Sequence, residues 1–186
     1  MLTHKGTQTL STERLVLRRF TTKDAQNMYD NWASDSRVTR YLTWLPHKSP
    51  AETEEILKMW CNDYPNPDYY QWAIEYNGTP IGSIAVVRIS ERDDLAELGY
   101  CMGYDYWGQG LMSEAVKAVI DFLFGKVSAN RVCICHAVKN PASGKVAKKC
   151  GLSYEGTLRQ EFRSHTGEFL DIAVHGITRD QWAKGE

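Results

Sequence analysis

The stretch Trp107-Gly108-Gln109-Gly110-Leu111-Met112-Ser113-Glu114-Ala115 decides how this chain is read. Two glycines one residue apart stand directly ahead of a helical pattern, so several backbone N–H groups there have neither an intrahelical partner nor a side chain over them. A helix N-terminus of this kind receives a diphosphate, because its amides and its dipole both favour negative charge. The segment is a phosphate cradle suited to a phosphorylated ligand.

Upstream, Leu95-Ala96-Glu97-Leu98-Gly99-Tyr100-Cys101-Met102 reads as a buried strand, and Gly103 to Tyr106 make the turn out of it. Downstream, Leu111, Ala115, Val119, Phe122 and Leu123 recur at helical spacing, with Ser113, Glu114, Lys117 and Asp121 on the opposite side. A glycine pair also marks ordinary tight turns, so the flanks matter. A dinucleotide-binding turn wants a third glycine where Ser113 stands and an acidic residue roughly 20 positions further; Asp121 comes far too early. The Walker pattern fails as well, since no Gly-Lys-Ser/Thr follows the turn.

With 186 residues, the expectation is one domain over 1–186, with 1–10 a short, poorly defined N-terminal segment. A net charge of -1 gives no basic field for nucleic acid. No apolar run reaches the roughly 18 residues of a membrane span, and Met1-Leu2-Thr3-His4-Lys5-Gly6 lacks the apolar centre of a secretory signal. The five cysteines are odd in number and lack metal-ligand spacing, although Cys133 and Cys135 alternate within a strand pattern and share one face. Reduced thiols in a cytoplasmic protein without a metal are expected.

Along the chain, Glu13 to Phe20 alternates as a first strand, and Thr22 or Asp24 caps a helix through Met28 and Trp32. A second helix starts after Ser49-Pro50 and ends before Pro65-Asn66-Pro67, with a loop around Tyr41 to Pro46 before it. Strands at Tyr70 to Tyr76 and Ile81 to Ile89 are joined by Asn77-Gly78, a strong two-residue hairpin signal. After the cradle helix, Arg131 to Val138 reads as a central strand. Asn140-Pro141 opens a helix that Gly151 closes, and Leu158 to Phe162 with Phe169 to Ile177 form a closing hairpin.

This order resembles the GNAT superfamily of acyl-CoA N-acetyltransferases, and more narrowly the branch containing the ribosomal-protein N-terminal (Rim-type) acetyltransferases. Three segments carry the likeness: Thr12-Glu13-Arg14-Leu15-Val16-Leu17-Arg18, then Tyr106 to Ala115, then Asn140-Pro141-Ala142-Ser143 through Lys149-Cys150-Gly151-Leu152. The resemblance spans almost the whole chain. It implies an α/β fold with a mixed, splayed central sheet of about seven strands and about four helices. It also implies an N-acetyltransferase that moves an acetyl group from acetyl-CoA directly to a primary amine. The pattern departs at Trp107 and Met112, where the superfamily often has Gln or Arg and a small residue; main-chain contacts tolerate both changes.

Gly108, Gln109, Gly110, Leu111 and Met112 present amides to the diphosphate, and the resemblance adds Trp107 at the start of that motif. By resemblance, the backbone at Cys101 and Met102 takes the pantetheine arm as an extra strand, a bulge near Tyr100 to Met102 splays the sheet, and Asn140 lies beside the arm. Asn140 also reads simply as a helix cap. Glu97 either faces solvent or lines a cleft; the resemblance turns it toward the acceptor, where a carboxylate can take a proton. In the Rim-type branch a serine matching Ser143 protonates or hydrogen-bonds the coenzyme A sulfur, and no tyrosine occurs between Asn140 and Gly151 to do so instead; Ser143 also reads as a plain first-turn serine. Lys145, Lys148 and Lys149 either reach cofactor phosphates or form a solvated face, and His136 reads as a core or edge histidine.

Trp44, Tyr69, Tyr70 and Trp72 are expected as aromatic walls of an acceptor pocket. The acceptor is read as an amine, either a protein N-terminal α-amine or a small molecule such as a polyamine or antibiotic. A coenzyme A-binding sensor without turnover is the remaining alternative. The chain is expected to work as a monomer or homodimer.

Overall fold

Alternation sets the first pairings. In β2 (Leu15–Arg18) Leu15 and Leu17 are buried while Val16 and Arg18 are half-exposed, and β1 (Leu10–Ser11) pairs antiparallel with it. The computed structural model describes residues 1–185. β3 (Gln71–Tyr76) and β4 (Thr79–Ser90) form the hairpin that Asn77-Gly78 foretells, with φ of 50° and 76° at the two turn residues. β5 (Leu95–Met102), β6 (Arg131–Ala137), β7 (Ser153–Arg163) and β8 (Phe169–Thr178) complete one mixed sheet in the order β1-β2-β3-β4-β5-β6-β8-β7. This α/β sheet has eight strands where about seven were expected, the short β1 being easily missed.

Six α-helices occur among the described residues, more than the four expected: α1 (Ala25–Met28), α2 (Ser36–Thr39), α3 (Pro50–Asp63), α4 (Leu111–Phe122), α5 (Pro141–Lys149) and α6 (Arg179–Lys184). The helix expected through Met28 and Trp32 is broken: a 3-10 turn precedes α1, and a π turn over Tyr29–Ala33 follows it. Residues 1–10, expected as poorly defined, instead lie along the core. Leu2 is buried, Thr3 N–H donates to the Val127 carbonyl and Gly6 N–H to that of Pro67.

The sheet has a cluster on each face. One joins Tyr70, Trp72, Leu98 and Met102 to the apolar side of α4, which buries Leu111, Met112, Ala115, Val116, Val119 and Ile120. The other joins Phe20, Met28, Trp32 and Leu57 beneath α1 and α3. Within the first, Trp72 stacks on Tyr70 and meets Phe122 edge-on, with its indole N–H on the Gln8 carbonyl at 2.7 Å. Trp72→Ala is expected to destabilise the fold by about 3–5 kcal/mol, seen as a lower urea midpoint with slope unchanged. A loss under about 1 kcal/mol contradicts this packing.

The functional geometry comes from where pairing stops. β5 runs parallel to β6 only from Leu95↔Arg131 to Leu98↔Ile134, while its other edge stays paired with β4 as far as Met102↔Gly82. β6 stays paired with β8 as far as Ala137↔Ile172. Beyond Leu98 and Ile134 the two central strands therefore part, leaving a notch between Gly99–Met102 and Cys135–Ala137. The bulge lies on β4 rather than near Tyr100 to Met102: the register with β5 jumps between Val86 and Arg88, so Val87 is the extra residue. An extra residue there bends β4 and sharpens its twist beside Leu98, where the pairing of β5 with β6 ends.

Candidate active site

The loop after β5 is held at both ends. Trp107 donates its indole N–H to the Met102 carbonyl at 2.7 Å and packs on Tyr104 with ring centres 4.9 Å apart. Gly108 and Gly110 adopt φ of +76° and +80°, the left-handed region that a β-carbon disfavours. Among the described residues, no acceptor receives the amides of Gly108, Gln109, Gly110, Leu111, Met112 or Ser113; the first bonded amide is that of Glu114, on the Gly110 carbonyl. The side chains of Leu111 and Met112 point into the core, so only their N–H groups are available to a ligand. Six amides, three in the loop and three in the first turn of the 12-residue α4, are therefore open to a ligand.

Arg14 was not singled out in the sequence, yet its guanidinium stands at this cradle. Its Nη1 donates to the Gln109 carbonyl at 3.2 Å, and Nη2 would lie 3.7 Å from a β-carbon at Gly110. Glu114 holds it there, accepting from Arg14 Nε at 2.7 Å, Arg14 N–H at 2.9 Å and the Thr12 hydroxyl at 2.6 Å. Burial pushes the Glu114 carboxyl up, but these donors outweigh it and leave it below its ordinary value. The Thr12–Arg18 segment and the glycine segment, separate in sequence, are thus one interlocked unit.

A cleft of about 900 Å³ surrounds the notch and brings together Glu97, Tyr100, Cys101, Asn140 and Ser143. Met102 and the glycine loop lie outside its lining. Strand alternation assigns the faces: Leu98 and Met102 pack in the α4 cluster with Tyr100 against it, whereas Cys101 packs against the α1–α3 cluster. Glu97, two and four residues from Gly99 and Cys101, shares the latter face. One cleft therefore reaches both faces of the sheet through the gap.

On the α4 side, Asn140 caps α5 by accepting from Ser143 N–H, which sets the serine in the first helical turn. The Tyr100 hydroxyl spans the notch, 2.9 Å from Ser143 Oγ and 3.2 Å from the Ser143 carbonyl. Burial pushes the Tyr100 phenol well above its ordinary value, so it remains protonated and holds the serine hydroxyl by a neutral hydrogen bond. Periodicity cannot show this contact, because the residues are 43 positions apart. His136 stacks on His175 with ring centres 5.1 Å apart and donates Nδ1–H to the Ala137 carbonyl at 2.8 Å, so it is a packed edge histidine. Lys145, Lys148 and Lys149 are exposed on the outer side of α5.

On the other side, Glu97 Oε2 accepts from Arg88 Nε at 2.9 Å, and the carboxylate lines the cleft. Cys101 lies 3.4 Å from the Ser83 hydroxyl, and burial pushes its thiol up to about 11, which leaves it an unionised lining group. The aromatic wall differs from expectation. Tyr70 and Trp72 are core residues under α4, and Tyr69 packs beside Tyr64, so of the four only Trp44 faces the cleft. Trp32, Trp60 and His47 line it instead, with Glu161 and Phe162 from β7 opposite. Burial lowers His47, which lies 2.8 Å from the Thr53 hydroxyl, so its imidazole is neutral at neutral pH.

A family model described as acetyltransferase (GNAT) domain matches residues 14–153. Among proteins similar in sequence, an uncharacterized N-acetyltransferase of Bacillus licheniformis, p20, is 28% identical over 179 residues, 95% of this chain and 99% of its own. The [ribosomal protein uS5]-alanine N-acetyltransferase of Escherichia coli (strain K12) is 26% identical over 187 aligned positions, 95% of this chain and 93% of its own. The structure of RimL, a ribosomal L7/L12 α-N-protein acetyltransferase solved with coenzyme A, superimposes with a TM-score of 0.83 at 20% identity, covering 94% of this chain and 99% of that one.

Proposed function

Because the chain belongs to the GNAT acetyltransferase family and so transfers acyl groups from acyl-CoA to amine nitrogen, we propose that it acetylates the α-amine at a protein N-terminus. The observation that carries this reading is the single cleft through the β5–β6 notch, with Ser143 and Tyr100 on one face and Glu97 on the other. Acetyl-CoA is a co-substrate here. Its diphosphate takes the open amides of Gly108–Ser113 beside Arg14, and its pantetheine arm takes the free edge of β5 at Cys101 and Met102, next to Asn140. The thioester then lies in the notch, open to an amine arriving from the Trp44 side.

The nitrogen attacks the thioester carbonyl carbon, the C–S bond breaks, and the sulfur leaves with the bonding electrons. Ser143 supplies a proton or hydrogen bond to that sulfur, aided by the positive end of α5. The amine loses its proton to Glu97, directly or through water. Glu97 also accepts from Arg88 Nε at 2.9 Å, which holds the carboxylate in place at the cleft. An α-amine asks less of the proton acceptor than a lysine does. Neutralising a lysine of pKa about 10.4 near pH 7.4 costs roughly 4 kcal/mol, whereas an α-amine of pKa near 8 costs less than about 1.

The uS5-alanine enzyme, similar along nearly its full length, supports an N-terminal acceptor. The five cysteines, all unbridged, fit a cytoplasmic setting, and no helix among the described residues is long and apolar enough to cross a membrane. Coenzyme A release measured over a panel of amines tests the acceptor. Peptides with a free α-amine are expected to exceed acetyl-capped lysine peptides at least about 100-fold in kcat/KM at pH 7.4, following the difference in neutral fraction. Preference for spermidine or an aminoglycoside overturns the acceptor, and the absence of release with every amine makes the chain a coenzyme A binder.

A further inference from the structure

We propose that Glu97, Cys133 and Cys135 form a binding site for zinc or another soft divalent cation, whose occupation blocks acetyl transfer. The two thiol sulfurs and a carboxylate oxygen all lie within 4.8 Å of one another, and no other such group occurs among the described residues. Sequence spacing hides it. Cys133 and Cys135 supply a Cys-x-Cys pair on one face of β6, and the third ligand comes from β5, where Glu97 is in register with Cys133.

A tetrahedral zinc ion with bonds of roughly 2.0–2.3 Å holds its ligands about 3.5–3.8 Å apart. Side-chain rotation of about 1 Å therefore closes the three groups around it. Cys135 and Glu97 line the cleft, which gives the ion an entry path and leaves its fourth position open to water. Arg88 occupies Glu97 Oε2 and leaves Oε1 as the ligand oxygen. The charges also balance: two thiolates and a carboxylate around a divalent ion sum to -1, which the Arg88 guanidinium offsets. On binding, each thiol gives up its proton to solvent and no redox step is involved.

Binding rests on this cluster alone, whereas inhibition rests on the reading of Glu97 as proton acceptor. The test therefore has two arms. In the first, the purified chain without substrate is titrated with cadmium, and the ultraviolet thiolate-to-metal band is followed; zinc is then competed against a chromophoric chelator. One equivalent is expected, and Cys133→Ser or Cys135→Ser weakens binding at least tenfold, with Cys61→Ser unchanged. Because Cys133 is buried, Cys135→Ser is the variant that decides if Cys133→Ser misfolds. No band, or a full band in Cys135→Ser, overturns the site.

In the second arm, one equivalent of zinc is expected to lower turnover at least tenfold and a chelator to restore it, each rate taken relative to the same variant without metal. Cys135→Ser loses this sensitivity. A bound metal with undiminished turnover overturns the blocking role. A metal-free chain that turns over no amine counts against the proposed acceptor chemistry and leaves the first arm standing.

Discussion

Gly110→Pro abolishes acetyl-CoA binding while the fold survives: calorimetric titration is expected to show at least about a 100-fold loss of affinity. The native φ of +80° is unreachable for proline, whose ring fixes φ near -65°, and the substitution also deletes one of the open amides. The loop must then turn its remaining N–H groups elsewhere. Charge-assisted hydrogen bonds contribute roughly 1.5–3 kcal/mol each, so losing two accounts for that factor. The fold is spared because the loop is exposed and the nearest group to a Gly110 β-carbon is the mobile end of Arg14 at 3.7 Å. Gly108→Ala is the graded control. Its β-carbon meets nothing within 4 Å, so only the positive φ is penalised, by about 1–2 kcal/mol, and the loss should be nearer tenfold. Unchanged affinity in Gly110→Pro, with near-ultraviolet circular dichroism matching the parent, sinks the cradle.

Ser143→Ala is expected to lower kcat about 100-fold with the acetyl-CoA dissociation constant within about twofold. The hydroxyl lies in the first turn of α5, 2.9 Å from Tyr100, in the same cleft as Glu97. Removing it leaves the helix, the cap and the phosphate site intact, so binding persists while the departing sulfur loses its donor. Tyr100→Phe tests the support: the serine stays in place without its partner, and the expected loss is only several-fold. Kinetics of coenzyme A release, with ligand affinity measured separately, distinguish the two effects. If both variants turn over within about twofold of the parent, the proton comes from elsewhere.

Local pattern made a good part of the fold legible. Asn77-Gly78 set the hairpin, Asn140-Pro141 and Gly151 bounded α5, and the 3.6-residue spacing of Leu111, Ala115 and Val119 fixed the buried side of α4. Each signal acts within a few residues, through a φ preference, a cap or one amphipathic face. Aromatic walls were less legible, since Trp72 under α4 and Trp44 in the cleft are equally apolar and only packing separates them. The broken first helix was missed for a related reason: α1 and its π turn follow the packing of Met28 and Trp32 beneath α3 rather than local propensity.

The sequence by itself determined the open amides at the start of α4, because positive φ at two glycines and free N–H groups at a helix start are consequences of the chain's own stereochemistry. It likewise determined the α/β order and the family. Tertiary structure alone decided where β5 and β6 part, that Tyr100 holds Ser143, that Arg14 stands at the cradle, and that Glu97 joins Cys133 and Cys135. Those contacts link residues 36 to 95 positions apart, and strand register with helix packing, rather than any local preference, sets which of them meet.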